Sequence, residues 1–324
     1  MVQAHTLMET GKNKLRLVDQ KAVRLTKFFL ETLSGNPMVT VVDKLDASKH
    51  KISCTSENGT LKRVVVSMPT YLDWGTPINE AEAVNRKPDR LTAVQQHIKF
   101  IQTLMAHGIQ VIILKPDYSR LEGVYTRDIG FVIGTKCFRA NLVAEARKPE
   151  QETVVNAIVP PPEVQIEGGN VLTKKELVFL GIGKRTNQEG AIWLQEQLGT
   201  EAEVKPIALT QETLHLDCAF GPLVQPNGVP GGALIYPKGF VNASDIELLQ
   251  KVYAQTHIVP LEEYKLLGAN VSFLGPAKGI IPTGCPTVKG YIAQHGIVPL
   301  EHDLTEIVLA EGAGRCSMFP LLRK

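Results

Sequence analysis

Residues 91–114 decide the fold class of this chain, and they read LTAVQQHIKFIQTLMAHGIQVIIL. Apolar side chains recur at helical spacing as far as His107, and Gly108 then ends the helix. The mostly apolar run Gln110–Leu114 follows, and residues 115–117 (Lys-Pro-Asp) end it. A short apolar run bounded by such residues is typical of a buried strand. A helix followed at once by a buried strand predicts an α/β protein.

Short apolar runs alternate with helical patterns throughout the chain after Lys62. One further strand is predicted before the helix, at Arg63–Met68. Later strands are predicted at residues 130–134, 178–182, 233–236, 271–274 and 307–309. No repeat is visible in the sequence itself, but strand, helix and strand recur with short turns at loosely even spacing. This rhythm predicts a repeated ββαβ unit.

The first part of the chain has a different character. A helical stripe of apolar residues runs from Lys14 to Leu33 and ends at residues 34–37 (Ser-Gly-Asn-Pro). The stretch from Asp43 to Thr60 is polar, which indicates loops or an edge strand. We therefore predict an N-terminal extension, residues 1–61, packed on a catalytic body of residues 62–324. The function of the extension is not apparent from its sequence.

Length and composition exclude several classes of protein. A chain of 324 residues buries a full core and allows one large domain or two modest ones. A net charge of +2 without any Lys/Arg run argues against nucleic acid as a partner. No apolar stretch is long enough to span a bilayer, and the polar N-terminus lacks the apolar region of a signal peptide. Five scattered cysteines argue against a disulfide framework and a structural zinc site, so we expect a cytoplasmic protein.

Cys316 is the strongest candidate for a reactive residue. It follows a Gly-rich turn, which allows a close approach to a ligand, and the neighbouring Arg315 would favour a thiolate. Taken alone, a buried structural cysteine is the commoner outcome. His215 and Asp217 stand two residues apart, so an extended segment would place both side chains on one face. Such a pair suits a proton-transfer base beside a substrate-binding carboxylate, although a polar surface loop fits the same residues.

Two further motifs carry carboxylates. Residues 167–170 (Glu-Gly-Gly-Asn) precede the apolar pair Val171 and Leu172, and residues 126–128 (Thr-Arg-Asp) precede another predicted strand. Either motif alone is more often an ordinary turn or a local salt bridge. Together with Cys316 and His215 they predict a pocket that holds a cation between carboxylates and attacks it with sulfur. A planar guanidinium fits this pocket, because carboxylates bind its N–H groups in pairs and its central carbon is electrophilic.

As an ordered set, these motifs resemble those of the guanidino-modifying enzyme superfamily. That superfamily holds arginine deiminase, dimethylarginine dimethylaminohydrolase, agmatine deiminase and the amidinotransferases. The resemblance extends from about Lys62 to the end of the chain. The matching motifs are residues 125–128 (YTRD), 166–172 (IEGGNVL), 183–190 (GKRTNQEG), 215–217 (HLD) and 314–318 (GRCSM).

The resemblance implies a fold and a set of catalytic residues. The implied fold is a five-bladed α/β propeller of pseudo-fivefold ββαβ repeats, with the active site in its central channel. Cys316 would be the nucleophile and His215 the general acid and base, with Glu167 beside His215. The implied reaction is attack of Cys316 on the guanidinium carbon, loss of ammonia or an amine, and hydrolysis of the resulting thiouronium by water. No metal or organic cofactor is needed.

The resemblance also implies a set of substrate-binding residues. Asp128 and Asp217 would bind the guanidinium nitrogens, and Arg185 stands where arginine deiminases bind the substrate carboxylate. Two residues depart from the pattern. Asn170 stands where the motif usually has Asp, and Glu122 stands where arginine deiminases tend to carry an Asn. Glu122 would repel a carboxylate and attract an ammonium group.

Three enzymatic functions and one binding function remain open. The favoured function is an amidinohydrolase that converts free arginine or a methylated arginine to citrulline. The alternatives are an amidinotransferase, which passes the amidino group to an amine, and an agmatine deiminase. A non-catalytic guanidino-binding protein on the same fold is disfavoured by the presence of both Cys316 and His215. The expected partner is a small guanidino compound, with no nucleic acid and no membrane; a homo-oligomer is left open.

Overall fold

The computed structural model of the protein describes residues 6–8, 16–224 and 230–324. It is an α/β structure with mixed sheets, as the sequence predicts. The strands are Thr6–Met8, Arg16–Val18, Val39–Val42, Leu45–Asp46, Leu61–Ser67, Gln110–Leu114, Gly130–Ile133, Lys136–Arg139, Val154–Val155, Val171–Lys174, Leu177–Ile182, Glu203–Ala208, Phe220–Val224, Pro230–Ile235, Thr256–Ile258, Ser272–Gly275, Lys278–Pro282, Val298–His302 and Phe319–Arg323. The α-helices are Gln20–Thr32, Glu80–Val84, Arg90–Ala106, Lys148–Gln151, Gln188–Leu198, Leu216–Ala219, Ala243–Val252, Leu261–Lys265, Pro286–Gln294 and Thr305–Val308.

The helix and strand of residues 91–114 form as the sequence predicts. The helix spans Arg90–Ala106, and the Asp89 carboxylate caps it by accepting a hydrogen bond from the Thr92 backbone N–H at 2.7 Å. Its apolar face packs on the strands of the same unit, and the strand Gln110–Leu114 runs parallel to Leu61–Ser67. A right-handed crossover through a helix is the usual connection between two such parallel strands.

Three later segments repeat one topology, in which an antiparallel hairpin is followed by a helix and a parallel third strand. The helices of these units are Gln188–Leu198, Ala243–Val252 and Pro286–Gln294. The first unit has the same arrangement, because the C-terminal strand Phe319–Arg323 pairs antiparallel with Leu61–Ser67. A fifth unit is the two-stranded hairpin of Gly130–Ile133 and Lys136–Arg139. The predicted ββαβ arrangement is therefore present in four of the five units.

One predicted strand is wrong. The apolar run at residues 307–309 lies at the end of the short helix Thr305–Val308, in which Ile307 is fully buried. A three-residue apolar run carries no periodicity, so a buried strand and a buried helical turn look the same in sequence.

The part of the chain before residue 62 joins the body at several points. The helix predicted between Lys14 and Leu33 is Gln20–Thr32, capped by Asp19, and residues 9–15 lie outside the described residues. The strand Val39–Val42 adds to the edge of the first sheet beside Gln110–Leu114. The domain boundary at residue 62 stays a prediction.

A polar or reactive side chain stands just before the first strand of each unit. These residues are Asp128, Glu167, Asp217, Asn270 and Cys316, and each stands two to four positions before its strand. No helix among the described residues is long and apolar enough to cross a membrane.

Candidate active site

All of the residues that the sequence assigns to the site are buried. They are Glu122, Asp128, Glu167, Arg185, His215, Asp217 and Cys316, each at most 5% exposed. Ionisable side chains are almost never fully buried unless they are paired, so this concentration marks a functional site.

Cys316 is held by the side-chain amide of Asn270. Asn270 Nδ2 donates to Cys316 Sγ at 3.2 Å, and Asn270 Oδ1 accepts from the Cys316 backbone N–H at 3.3 Å. The carbonyl of Cys316 accepts from the Arg127 backbone N–H at 2.9 Å, which fixes Asp128 next to the cysteine loop. The cysteine is therefore held by the backbone of the Thr-Arg-Asp motif and by the side chain of Asn270.

Gly169 explains why the Glu-Gly-Gly-Asn motif needs glycine. A Cβ atom at Gly169 would lie 2.7 Å from the His215 ring and 3.0 Å from Asp128 Oδ1. Only a residue without a side chain permits this approach of the backbone to the imidazole and the carboxylate. Three of the predicted motifs therefore meet at Gly169.

His215 has a carboxylate on each side of its ring and is hydrogen-bonded to one of them, Glu167. Its Nε2 donates to Glu167 Oε2 at 2.8 Å, and its Nδ1 lies 3.7 Å from Asp128 Oδ1. Burial lowers the pKa of His215, but Asp128 and Glu167 outweigh burial, and the pKa is raised above its ordinary value. Burial alone would raise the pKa of Glu167, whereas the hydrogen bond from His215 and the charge of Arg185 lower it to about 2. The imidazole ring therefore lies between two carboxylates, which favour its protonated form.

The expected extended segment at His215 is wrong. His215 is the N-cap residue of the short helix Leu216–Ala219, in which Asp217 stands in the first turn. Asp217 Oδ2 accepts a short hydrogen bond from Arg315 Nη1, and its backbone carbonyl accepts from Asn270 Nδ2 at 3.2 Å. The helical turn brings Asp217 towards the cysteine loop as well as towards His215.

The same turn also brings Cys218 to the site. Its thiol lies 3.8 Å from Asp217 Oδ1 and contacts the Cys316 thiol. That contact, followed by burial, raises the pKa of Cys218 well above its ordinary value.

Glu122 lies beside an arginine, Arg147, that the sequence analysis missed. Arg147 Nη1 donates to Asp128 Oδ2 at 2.8 Å, its Nη2 lies 2.7 Å from Glu150 Oε2, and its Nε lies 3.7 Å from Glu122 Oε2. Arg185 Nη1 lies 3.7 Å from Glu167 Oε1. Two guanidinium groups and several carboxylates therefore line one side of the site.

The pKa of Glu122 is raised to about 8. Burial is the largest cause of this shift, the carboxylates of Glu150 and Glu82 add to it, and the charge of Arg147 opposes it. At neutral pH the Glu122 carboxyl group therefore carries a proton when no ligand is bound.

Asn170 has a structural function that suits an amide. Its Nδ2 donates to Thr186 Oγ1 at 2.9 Å, and its Oδ1 accepts from the Leu216 backbone N–H at 2.9 Å. Asn170 thereby connects the Glu-Gly-Gly-Asn motif to both the Lys-Arg-Thr and the His-Leu-Asp motifs.

Two groups of side chains have the spacing of metal ligands. They are Asp128, Glu167 and His215, and His215, Asp217 and Cys218, with ligand atoms within 4.8 Å of one another in each group. In the first group His215 Nε2 is already hydrogen-bonded to Glu167 Oε2, at 2.8 Å.

Comparisons with known proteins agree with this geometry. The sequence profile of a family described as eukaryotic N,N dimethylarginine dimethylhydrolase matches residues 78–225. An uncharacterised protein of Bacillus subtilis (strain 168), YkgA, is 31% identical over 286 residues, which cover 85% of this chain and 97% of that protein. The N(G),N(G)-dimethylarginine dimethylaminohydrolase of Pseudomonas aeruginosa is 24% identical over 242 residues, covering 71% of this chain and 89% of that enzyme.

The fold also matches a solved structure. The product-bound N-terminal domain of ArgZ, an arginine dihydrolase from the ornithine-ammonia cycle in Cyanobacteria, aligns with a TM-score of 0.72 at 24% sequence identity. The alignment covers 81% of this chain and 97% of that domain.

The family profile and the named relatives define a class of protein, the enzymes that hydrolyse carbon–nitrogen bonds of linear amidines. Within that class, the chain belongs to the guanidino-modifying enzyme superfamily, of the dimethylargininase and arginine deiminase type. The resemblance carried by the sequence motifs is confirmed.

Proposed function

We propose that the protein converts free arginine or a methylated arginine to citrulline through a covalent thiouronium on Cys316. The observation that carries this proposal is a set of buried site atoms without a hydrogen-bond partner among the described residues, namely Asp128 Oδ1, Glu150 Oε1 and Arg185 Nη1. An arginine-like amino acid supplies a guanidinium for Asp128, an ammonium for the neighbouring carboxyl groups of Glu150 and Glu122, and a carboxylate for Arg185. Buried polar atoms are normally paired, so these three favour a ligand with both signs of charge.

In the proposed reaction, Asp128 and Asp217 bind the guanidinium nitrogens and orient the central carbon toward Cys316. The Cys316 thiolate attacks that carbon to give a tetrahedral adduct, and the imidazolium of His215 protonates the departing nitrogen, which leaves as ammonia or an amine. His215 is then neutral, and it removes a proton from the water that attacks the thiouronium. Cys316 leaves as the thiolate and the ureido product remains. Glu167 keeps the imidazole oriented through both steps.

We propose that the five units close into a five-bladed propeller around the site. Each unit has a site residue just before its first strand, and the C-terminal strand completes the first sheet. A cytoplasmic location stays a prediction from the sequence.

The proposed function is tested by offering the enzyme a panel of guanidino compounds. The panel holds arginine, singly and doubly methylated arginines and agmatine, each with and without glycine as an amine acceptor, and mass spectrometry identifies the products. A ureido product that is independent of glycine supports hydrolysis. An amidino group found on glycine would instead identify an amidinotransferase, since the two reactions share the thiouronium intermediate.

The tail of the substrate should determine the preference within that panel. Arg185 favours a carboxylate, because a guanidinium binds it bidentately, whereas Glu122 favours an ammonium group. Arginine carries both groups and agmatine leaves Arg185 without an anion. We expect kcat/KM for the preferred arginine to exceed that for agmatine by at least about tenfold, equivalent to roughly 1.4 kcal/mol. Arg185→Ala should abolish this preference, mainly through KM.

Lys184→Ala is the matched control for Arg185→Ala, because Lys184 is the neighbouring cation but is exposed. It should leave the ratio of the two kcat/KM values unchanged. Equal or better use of agmatine by the wild-type enzyme would show that Arg185 does not bind the substrate tail, although the chemistry of Cys316 and His215 would be unaffected.

Binding of an amino acid substrate should release a proton. With a pKa of about 8, Glu122 is protonated at pH 7, and an ammonium group bound beside it favours the ionised form. Affinity should therefore increase as the pH rises from 6 to 8, by roughly an order of magnitude. The measurement is calorimetry of arginine binding to Cys316→Ala in buffers of different ionisation enthalpy, which counts the protons released.

Glu122→Gln, which cannot ionise, should remove both the proton release and the pH dependence. An affinity that is flat between pH 6 and 8, or an unchanged dependence in Glu122→Gln, would contradict the assignment of Glu122 to the ammonium group.

A further inference from the structure

The N-terminal part of the chain places one carboxylate in the interior of the body. Residues 53–56 pass between the sheets, and isolated bridges connect Ser53 to Leu322, Cys54 to Gly134 and Ser56 to Lys174. The next residue, Glu57, is only 8% exposed, although it precedes the first strand of the body. The position of Glu57 is therefore set by the bridges that residues 53–56 form with three different units.

Glu57 is bound by two arginines that belong to active-site motifs. Its Oε2 lies 2.8 Å from Arg315 Nη2, and its Oε1 lies 3.4 Å from Arg127 Nη2. Oε1 also accepts from the Thr173 backbone N–H at 3.1 Å. Arg315 directly precedes Cys316, and Arg127 directly precedes Asp128. Glu57 therefore contacts the residues beside the predicted nucleophile and beside one predicted substrate carboxylate.

The charges around Glu57 keep it ionised. Glu57 lines a small internal cavity together with Arg127, Arg315 and Arg323, and no other carboxylate lines it among the described residues. Burial raises the pKa of Glu57, but the arginines, led by Arg315, outweigh burial and lower the pKa to about 2. Glu57 thus remains a fixed negative charge opposite three guanidinium groups.

Arg315 connects Glu57 to Asp217. One of its terminal nitrogens, Nη2, donates to Glu57 Oε2 at 2.8 Å and to the Val171 carbonyl at 3.3 Å, while the other, Nη1, donates to Asp217 Oδ2. The second oxygen of Asp217, Oδ1, has the thiol of Cys218 at 3.8 Å as its hydrogen-bond neighbour. A thiol is a weak donor, so Oδ1 retains the capacity to bind a guanidinium N–H.

We propose that Glu57 is a positioning residue, which holds Arg315 so that Asp217 keeps one oxygen for the substrate guanidinium. This inference rests on the proposed function of Asp217. A guanidinium prefers to bind a carboxylate with two parallel N–H groups. Glu57 prevents that arrangement by occupying Nη2 of Arg315. Without the charge on Glu57, Arg315 turns both nitrogens to Asp217 and competes with the substrate.

The test compares a guanidinium ligand with its neutral product. The measurements use the Cys316→Ala background, which is expected to bind ligands without turnover. Calorimetry gives Kd for a guanidino compound and for L-citrulline. The guanidino compound is L-arginine, or Nω-methyl-L-arginine if the enzyme prefers that substrate. Glu57→Gln keeps the size of the side chain and an acceptor for the Thr173 N–H. We expect it to weaken binding of the guanidino compound by at least about tenfold and binding of citrulline by less than about twofold, because citrulline does not compete with Arg315 for charge. Glu57→Asp should recover part of the lost affinity.

Glu263→Gln is the matched control. Glu263 is also a buried glutamate, 5% exposed, and it accepts from the backbone N–H groups of Thr287 and Val288 at 2.9 and 3.0 Å, away from the site. It should leave both Kd values unchanged, and thermal melting of every variant reports on folding. If Glu57→Gln does not fold, Glu57→Asp should show the same discrimination to a smaller extent.

Three results would overturn the inference. Equal weakening of both ligands would show that Glu57 acts only on stability, and unchanged Kd values would show that Asp217 does not depend on it. Failure of Cys316→Ala to bind any guanidino compound would instead overturn the proposed function, and this inference with it.

Discussion

Replacement of Cys316 by alanine is expected to lower kcat at least about a hundredfold and to leave the affinity for the substrate within a few-fold of wild type. The residue lies in a buried loop, held by Asn270 and by the Arg127 N–H, and in the proposed mechanism its sulfur forms the only covalent bond to the substrate. Losing a nucleophile should raise the barrier by several kcal/mol. Binding should persist, because the carboxylates that hold the guanidinium belong to other units.

The measurement pairs steady-state product formation with calorimetric binding. Cys285→Ala is a matched control, since Cys285 is also fully buried and free but packs in a separate apolar cluster with Val288 and Ile292. It should retain wild-type kcat. Residual activity of Cys316→Ala above about a hundredth of wild type would exclude covalent catalysis through this sulfur.

The sequence predicted the α/β class because two periodicities are clear in it. The helix at residues 91–107 and the strand Gln110–Leu114 have breakers at both ends and enough residues for a period to show. The structure places them within one residue of the predicted bounds, at Arg90–Ala106 and Gln110–Leu114. The run at residues 307–309 was too short for any period, and there the prediction of a strand was wrong.

The residues recognised as site candidates were those within compact motifs. Glu167, His215 and Asp128 stand in three separate motifs, yet the structure brings their side chains into direct contact around Gly169. Asp217 was placed on an extended segment, whereas the residues after His215 form a helical turn. Two residues at alternate positions suit either geometry, so spacing alone could not distinguish them.

The residues that sequence analysis missed have no motif of their own. Asn270 holds Cys316, and Arg147 binds Asp128, but each stands among ordinary neighbours in the sequence. For Asn270 a signal existed, because it stands two residues before the first strand of its unit, the position that carries a site residue in the other units. Glu57 could not be found this way, because its place is set by a segment that crosses three units.

Replacement of His215 by alanine is expected to slow both halves of the reaction, with kcat reduced at least about a hundredfold, as is typical for loss of a general acid and base. The structure motivates this through the Nε2 hydrogen bond to Glu167 and the neighbouring Asp128, which together raise the pKa of His215. A raised pKa favours the protonated ring, which is the acid that the first half needs. After that proton leaves with the nitrogen, the neutral ring is the base for water.

His215→Gln separates the two halves. The glutamine amide can still donate to Glu167, so the pocket keeps its shape, but it transfers no proton. With a substrate whose leaving group departs without protonation, such as an S-alkyl isothioureido analogue of arginine, the first step should proceed and the second should stall. Mass spectrometry of acid-quenched enzyme should then detect the adduct on Cys316, and its amount should exceed that in wild type, where deacylation removes it.

His295→Gln is the control that makes this result specific. His295 is a buried histidine, but its ring nitrogens lie 2.8 Å from the Tyr291 carbonyl and 2.9 Å from Gln255 Oε1, away from the site. Its replacement should leave kcat near wild type and give no accumulated adduct. If instead His215→Gln turns over ordinary substrate at wild-type rate, proton transfer must come from another group, and Glu167 and His215 would serve only to shape the pocket.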